Sequence, residues 1–104
     1  MFPIKVLYDF VGSNPEAPLQ GGVTVSSRNF KKAVDRNRVK RVVREAYRLQ
    51  KLPLQQKVAE ENKHLVVFFI YLAKELPVFN EVNEKMKVAI ERLINFVEKS
   101  KEAT

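Results

Sequence analysis

At 104 residues, with 45% hydrophobic and 30% charged side chains, the chain suits one domain with a modest core and is too apolar for a disordered segment. It contains no cysteine, which excludes disulfides, thiolate nucleophiles and cysteine-ligated zinc. The formal net charge of +7 is unevenly distributed. Ten of the nineteen basic residues lie between Arg28 and Lys51 with only two acids, so this segment carries +8 and the remainder −1. Such concentration predicts a polyanionic partner.

The amino terminus has neither the apolar core nor the small-residue cleavage site of a signal peptide. The longest apolar run, Leu65 to Ala73, is too short to cross a bilayer as a helix. Together with the absence of cysteine, these features predict a cytoplasmic protein with no membrane partner.

Two strands are predicted first. Apolar residues at every second position from Ile4 to Phe10 predict a half-buried strand within Phe2–Val11. Glycine and prolines between Gly12 and Pro18 interrupt this pattern and predict an exposed connection. A second, shorter strand is predicted over Gly22–Ser26.

The basic segment predicts an amphipathic helix from about Val34 to Leu49. Apolar residues spaced three and four apart form its core-facing stripe: Val39, Val42, Val43, Ala46 and Leu49. At about 100° per residue, the opposite side carries Asn37, Lys40, Arg41, Arg44 and Arg48, with Arg38 at its edge. Arg36 falls nearer the apolar side, in the first turn. Asp35 or Asn29 is predicted to cap the helix.

The second half of the chain predicts one more strand and one more helix. Pro53 is expected to end the basic helix, and residues 54–63 are predicted to form a polar connector with at most a helical turn. The apolar run from His64 to Leu72 predicts a central strand covered on both faces. Helical spacing predicts a core helix over Asn80–Lys99. The order β-β-α-β-α predicts an α+β fold, a small sheet backed by helices.

We expect no catalytic residue and no metal site within the chain. Its one histidine, His64, begins a strand without an evident partner, and three glycines cannot make a phosphate-binding loop. The carboxylates are scattered, so Glu60 and Glu61 are expected to belong to a solvated connector rather than to form an acid–base pair.

The basic helix face has several interpretations. A merely solvated face normally mixes charge signs, because like charges four residues apart repel, as Lys40 with Arg44 and Arg44 with Arg48 do here. A membrane-surface helix needs free apolar residues, whereas this stripe is needed for the core. Charge alone therefore leaves two partners open: RNA, as in a ribosome-associated or assembly module, and DNA, bound through the major groove by a regulator.

The order of residues from Arg36 to Glu45 is more specific. Arg-Asn-Arg-Val-Lys-Arg-Val-Val-Arg-Glu closely resembles the signature of the protein subunit of bacterial ribonuclease P. The approach is similar too, with a strand ending at Val25 and Ser26 and a basic residue at Arg28. The resemblance is specific over residues 23–49. In the later strand and helix, only the pattern of predicted elements agrees with the family.

This resemblance implies an accessory subunit of an endoribonuclease, a hydrolase, that assists a catalytic RNA in removing the 5′ leader from precursor tRNA. Mg²⁺ would be carried by the RNA and not by the protein. The implied fold is that of ribosomal protein S5 domain 2, with a left-handed β-α-β crossover. The resemblance assigns RNA contacts to the motif helix, and neighbouring bases extend them: Arg28, Lys31, Lys32, Arg36, Asn37, Arg38, Lys40, Arg41, Arg44 and Arg48.

One departure from the family concerns the amino terminus. Family members begin with a basic helix that forms one wall of the cleft thought to receive the leader, whereas here the first strand follows Met1 almost at once. We therefore interpret residues 1–104 as one shortened family domain, with apolar surface near Tyr8, Phe10 or Phe68 exposed for self-association. Phe30 stands where the family has a small residue, and the sequence assigns it no role.

Overall fold

In the described residues, a three-stranded sheet and three helices make up the fold, an α+β arrangement as predicted. The structure is a computed structural model that describes residues 3–11, 19–61 and 63–102. Its elements are β1 (Ile4–Phe10), β2 (Leu19–Val25), α1 (Ala33–Gln50), α2 (Leu52–Glu60), β3 (Leu65–Tyr71) and α3 (Phe79–Glu102). The exposed connection predicted at residues 12–18 lies outside the described residues.

The last strand in the chain is the middle strand of the sheet. The spatial order is β1-β3-β2, with β1 antiparallel to β3 and β2 parallel to it. The parallel pair, which aligns Leu19 with Leu65, needs a crossover connection, and α1 and α2 supply it. This arrangement places the basic helix beside the edge strand β2.

The sheet has one face packed against helices and one more open face. Leu65, Val67 and Phe69 of β3 are buried under the helices, whereas Phe68 is 48% exposed on the other side. Leu7, the partner of Phe68 on β1, is 47% exposed. The prediction that β3 is covered on both faces is therefore wrong for the described residues, since the continuous apolar run hid a two-residue period.

The aromatic residues of β1 divide between core and surface. Phe10 is half-buried and stacks on Phe96 of α3, with ring centroids 5.1 Å apart. Tyr8 also contacts Phe96, at 4.7 Å, but remains 46% exposed. The predicted exposure is confirmed for Tyr8 and Phe68 but not for Phe10, and self-association stays a prediction.

Helix α1 buries the predicted stripe except at Val42, which is half-buried, and at its end. Val39, Val43 and Ala46 are fully buried, but Leu49 is 55% exposed, contrary to prediction. The last turn meets α3 through Gln50 instead, whose amide Nε2 donates to the Asn83 carbonyl oxygen at 2.8 Å and side-chain Oδ1 at 2.7 Å. This hydrogen-bonded contact takes the core-facing position, and Leu49 falls at the margin of the stripe.

The stretch predicted as a polar connector is a second helix, α2. Pro53 stands at its amino-terminal end, where the missing N–H removes no helical hydrogen bond. Leu54 and Val58, four residues apart, are both fully buried. Lys57 reaches Glu98 of α3 at 3.3 Å, so α2 packs on α3 and turns the chain back toward the sheet.

Helix α3 confirms the predicted core helix and extends one residue earlier and three residues later. Its apolar stripe runs the length of the helix and is buried at every position but the half-buried Ile94: Val82, Met86, Ala89, Ile90, Leu93, Ile94 and Val97. This helix contacts both α1 and α2 and thereby covers the crossover.

Candidate nucleic-acid interface

Helix α1 begins without the predicted side-chain cap. Its N-cap residue is Lys32, whose side chain caps no backbone N–H, so the assignment to Asp35 or Asn29 is wrong. Asp35 lies in the first turn, where its charge complements the helix dipole. The Asn29 amide instead donates to the Leu72 carbonyl oxygen at 3.1 Å, because the loop before α1 folds against the end of β3.

Phe30 and Arg36 hold this loop in place. The Phe30 ring is buried, with its centroid 6.2 Å from that of Tyr71 on β3. The Arg36 guanidinium Nη1 donates to the carbonyl oxygens of Phe30 and Lys31, at 2.8 and 2.9 Å. The half-buried Arg36 therefore ties the first turn of α1 to the preceding loop, and Phe30 acquires a role as a core residue.

Replacing Arg36 by Ala is expected to lower the free energy of unfolding by about 1–3 kcal/mol, because two carbonyl groups would be left without their donor. Arg41→Ala, on the exposed side of the same helix, is the matched control and should change it by no more than about 0.5 kcal/mol. Urea denaturation of both variants measures the difference. Equal stabilities would show that Arg36 does not hold the loop.

Most of the predicted RNA-binding side chains lie on one side of α1. Asn37, Arg41, Arg44 and Arg48 are exposed and point away from the buried Val39 stripe. Arg38 is exposed at one margin of this surface, and Lys40 is half-buried at the other. We call this surface, made of residues 37, 38, 40, 41, 44 and 48, the basic face. From Asn37 to Arg48 it is roughly 16 Å long at 1.5 Å per residue.

The basic face is largely unneutralised. Arg48 forms an ion pair with Glu45, in which Nη2 lies 2.5 Å from Oε1 and Nε lies 3.1 Å from Oε2. This contact lowers the pKa of the Glu45 carboxyl and raises the pKa of Arg48. Among the described residues, Arg38, Arg41 and Arg44 have no such carboxylate partner. Like charges held this close favour a polyanion that relieves their repulsion.

The remaining predicted bases lie in the loop before α1. Arg28, Lys31 and Lys32 are all exposed, and the Arg28 backbone N–H donates to the Ser26 hydroxyl oxygen at 3.1 Å. Because Phe30 is anchored in the core between them, these cations are carried by a fixed loop at the amino-terminal end of the basic face.

Two further residues lie beside the basic face and were not predicted from the sequence as site residues. Lys51, at the junction of α1 and α2, and Tyr47 line a groove together with Arg44 and Arg48. Continuing the 100° rotation of α1 past Leu49 would have placed Lys51 beside Arg44. Helical phase could not have identified Tyr47, because its place in the groove depends on how closely β2 approaches α1.

Within the described part of the chain, no group of three or more acidic or histidine side chains is arranged to hold a metal ion. No helix there has the length and hydropathy needed to cross a membrane.

Comparison of the sequence with known proteins identifies a family. The family model for ribonuclease P matches residues 4–94. Ribonuclease P protein components from two strains of Porphyromonas gingivalis are 35% identical over 100 residues, which cover 96% of this chain and 73% of each relative. That of Chlorobaculum tepidum is 38% identical over 64 residues, 58% of this chain and 42% of the relative.

No solved structure matches the chain significantly. The family match nevertheless spans β1 to most of α3 and includes every described residue of the basic face. The chain belongs to the ribonuclease P protein component family.

Proposed function

We propose that this protein is the RNA-binding subunit of a ribonuclease P, in which it assists a catalytic RNA in removing the 5′ leader from precursor tRNA. The observation that carries the proposal is the basic face: apart from Arg36, the basic residues of the segment that resembles the family signature lie on one largely unneutralised side of a helix whose other side is buried. A rigid, cationic surface of this kind can anchor a folded RNA without rearranging the core.

Arginine suits this role through its geometry. The planar guanidinium presents paired donors that match two phosphate oxygens, and its charge persists at every physiological pH. Arg38, Arg41 and Arg44 are free of acidic partners in the described part of the chain, so binding RNA would break no ion pair at these positions. Arg36 has one nitrogen committed to loop carbonyls, and its main contribution to binding would be to orient the helix.

In this proposal the protein supplies binding and the RNA supplies the reaction. Mg²⁺ held by the RNA would activate water and stabilise the charge that develops during phosphodiester hydrolysis. Neutralising RNA phosphates near that centre would lower the Mg²⁺ concentration that the folded RNA requires, because bound cationic side chains replace condensed counterions.

Reconstitution tests this function. The chain is mixed with the catalytic RNA of Porphyromonas gingivalis, whose protein component is 35% identical, at Mg²⁺ concentrations too low for the RNA alone to cleave. Cleavage of a precursor tRNA at the leader junction should rise by about tenfold or more, as expected if the protein contributes roughly 1.4 kcal/mol or more to the active complex.

A matched pair of variants makes the result specific. Removing two charges from the basic face, by Arg38→Ala with Arg41→Ala, should abolish most of the stimulation. Removing two exposed charges elsewhere, by Lys74→Ala with Lys85→Ala, should retain it. No stimulation by the unmodified chain, or equal loss in both variants, would contradict the proposed function.

A further inference from the structure

A groove lies between the edge strand β2 and the carboxyl-terminal half of α1. Its volume is about 290 Å³. It is lined by backbone and apolar side chains from the sheet and by basic and aromatic side chains from the helix: Leu19, Gly21, Gly22, Val23, Phe69, Arg44, Tyr47, Arg48 and Lys51. Two of these residues, Arg44 and Arg48, also belong to the basic face, so the groove opens directly beside it.

Two consecutive glycines of β2 line the groove. A Cβ at Gly21 would lie 2.8 Å from Tyr47 Cε2, and a Cβ at Gly22 would lie 2.8 Å from Phe68 Cε1 on the other face. Each aromatic ring therefore rests on strand backbone that carries no side chain. Because β2 pairs only with β3 in the described sheet, its outer edge keeps unpaired backbone donors and acceptors.

The groove is cationic. Arg44, Arg48 and Lys51 contribute three positive charges, and none of the described residues that line it is acidic. Glu45, from outside the groove, accepts two hydrogen bonds from the Arg48 guanidinium and neutralises part of its charge. Three cations around a recess of this size fit a phosphodiester better than a neutral ligand.

Tyr47 adds a directed donor. Its ring packs against Phe69, with centroids 5.1 Å apart, and its hydroxyl hydrogen-bonds to no residue in the described ranges. Burial raises the pKa of Tyr47 to about 12, so the hydroxyl keeps its proton at neutral pH and can donate to an acceptor in the groove.

We propose that this groove binds one unpaired nucleotide of an RNA strand, with its phosphate at Arg44, Arg48 and Lys51 and its sugar against the Gly21–Gly22 backbone within reach of the Tyr47 hydroxyl. The proposal rests on the proposed RNA-binding function and adds a specific position to it. The nucleotide must be unpaired because a regular duplex presents its phosphates as a convex ridge, which fits the exposed basic face but not a recess.

Short RNA probes test the assignment. The affinity of the chain for a single-stranded oligouridine is measured by fluorescence anisotropy, and the backbone amides of Gly21 and Gly22 are followed by NMR. Lys51→Ala should weaken binding about tenfold, and Tyr47→Phe, which keeps the ring and removes only the hydroxyl, about threefold to tenfold. The exposed Lys85→Ala on α3 is the control and should change the affinity less than about twofold.

The outcomes separate this proposal from the proposed function. Oligouridine binding that is unaffected by both Lys51→Ala and Tyr47→Phe would overturn the groove assignment, even if the basic-face variants still lose affinity for catalytic RNA. A blunt RNA duplex that shifts the Gly21 and Gly22 amides as strongly as oligouridine would overturn the requirement for an unpaired nucleotide. If polyglutamate competes as well as oligouridine, the groove recognises negative charge alone, and the assignment of a nucleotide as its ligand would be overturned. The proposed function fails separately, if the basic-face variants bind catalytic RNA normally.

Discussion

Arg38→Ala combined with Arg41→Ala should weaken binding to the catalytic RNA by about tenfold to a hundredfold, the largest effect we expect on function. Each charge-assisted hydrogen bond to phosphate contributes roughly 1.5 kcal/mol, and about 1.4 kcal/mol corresponds to a factor of ten. The slope of the logarithm of affinity against the logarithm of salt concentration should flatten by about one unit for each phosphate that is no longer neutralised. Filter binding over a salt series measures both quantities.

Folding should survive this double change. Both side chains are exposed on α1, away from the buried stripe, and neither forms an ion pair within the described part of the chain. The free energy of unfolding should stay within about 0.5 kcal/mol for each substitution. A double variant that unfolds would show that the basic face supports the fold, and its weaker RNA binding would then say nothing about phosphate recognition.

Phe30→Ala should have the largest effect on stability, lowering the free energy of unfolding by about 3–5 kcal/mol. The Phe30 ring is 6% exposed and packs against Tyr71, so its removal leaves a cavity between the loop before α1 and the end of β3. That decrease is a large share of the roughly 5–15 kcal/mol that stabilises a typical domain. Chemical denaturation followed by circular dichroism measures it.

Two controls qualify the result for Phe30. Phe30→Leu retains most of the buried volume and should cost less than about 1.5 kcal/mol. Val34→Ala, four residues further on and 77% exposed, should be nearly neutral. A Phe30→Ala variant as stable as Val34→Ala would contradict the role of Phe30 as a core residue.

Helical periodicity predicted α1 and α3 closely. The basic helix was placed at residues 34–49 and spans 33–50, and the last helix was placed at 80–99 and spans 79–102. Long segments with a repeated apolar stripe have few alternative ways to bury it, so the period alone sets their position. The same phase correctly placed Asn37, Arg41, Arg44 and Arg48 on the exposed side. Their contact with RNA stays a prediction.

Shorter elements depended on tertiary contacts that no local pattern contains. Proline is found both just after the end of a helix and in the first turn of a helix, so Pro53 alone did not predict α2. This helix is stabilised by burial of Leu54 and Val58 and by packing on α3. Likewise, the apolar run of β3 concealed its open face. Phe68 lies over Gly22, and only the strand register brings these two residues together.

Within the candidate site, helical phase predicted which side chains are exposed, but not which contacts they make with other parts of the protein. Arg36 binds two loop carbonyls, and that interaction depends on how Phe30 anchors the loop. The groove beside the basic face depends on the approach of Gly21 to Tyr47, residues far apart in the chain. Both features depend on contacts between different secondary-structure elements. The residue pattern along one element does not predict those contacts.

Because β3 is the central strand, no part of this sheet can form during synthesis until β3 has been made. In the described sheet both edge strands pair with β3 and not with each other, and β3 is the last of the three to be made. Ile4 must wait for Tyr71 before it can form its pair, whereas the turns of α1 close locally and need no distant partner. Sheet formation is thereby delayed by slow, non-local closure. A polypeptide that terminates before Leu65 would have no partner for either existing strand, and would form no part of this sheet rather than a smaller one.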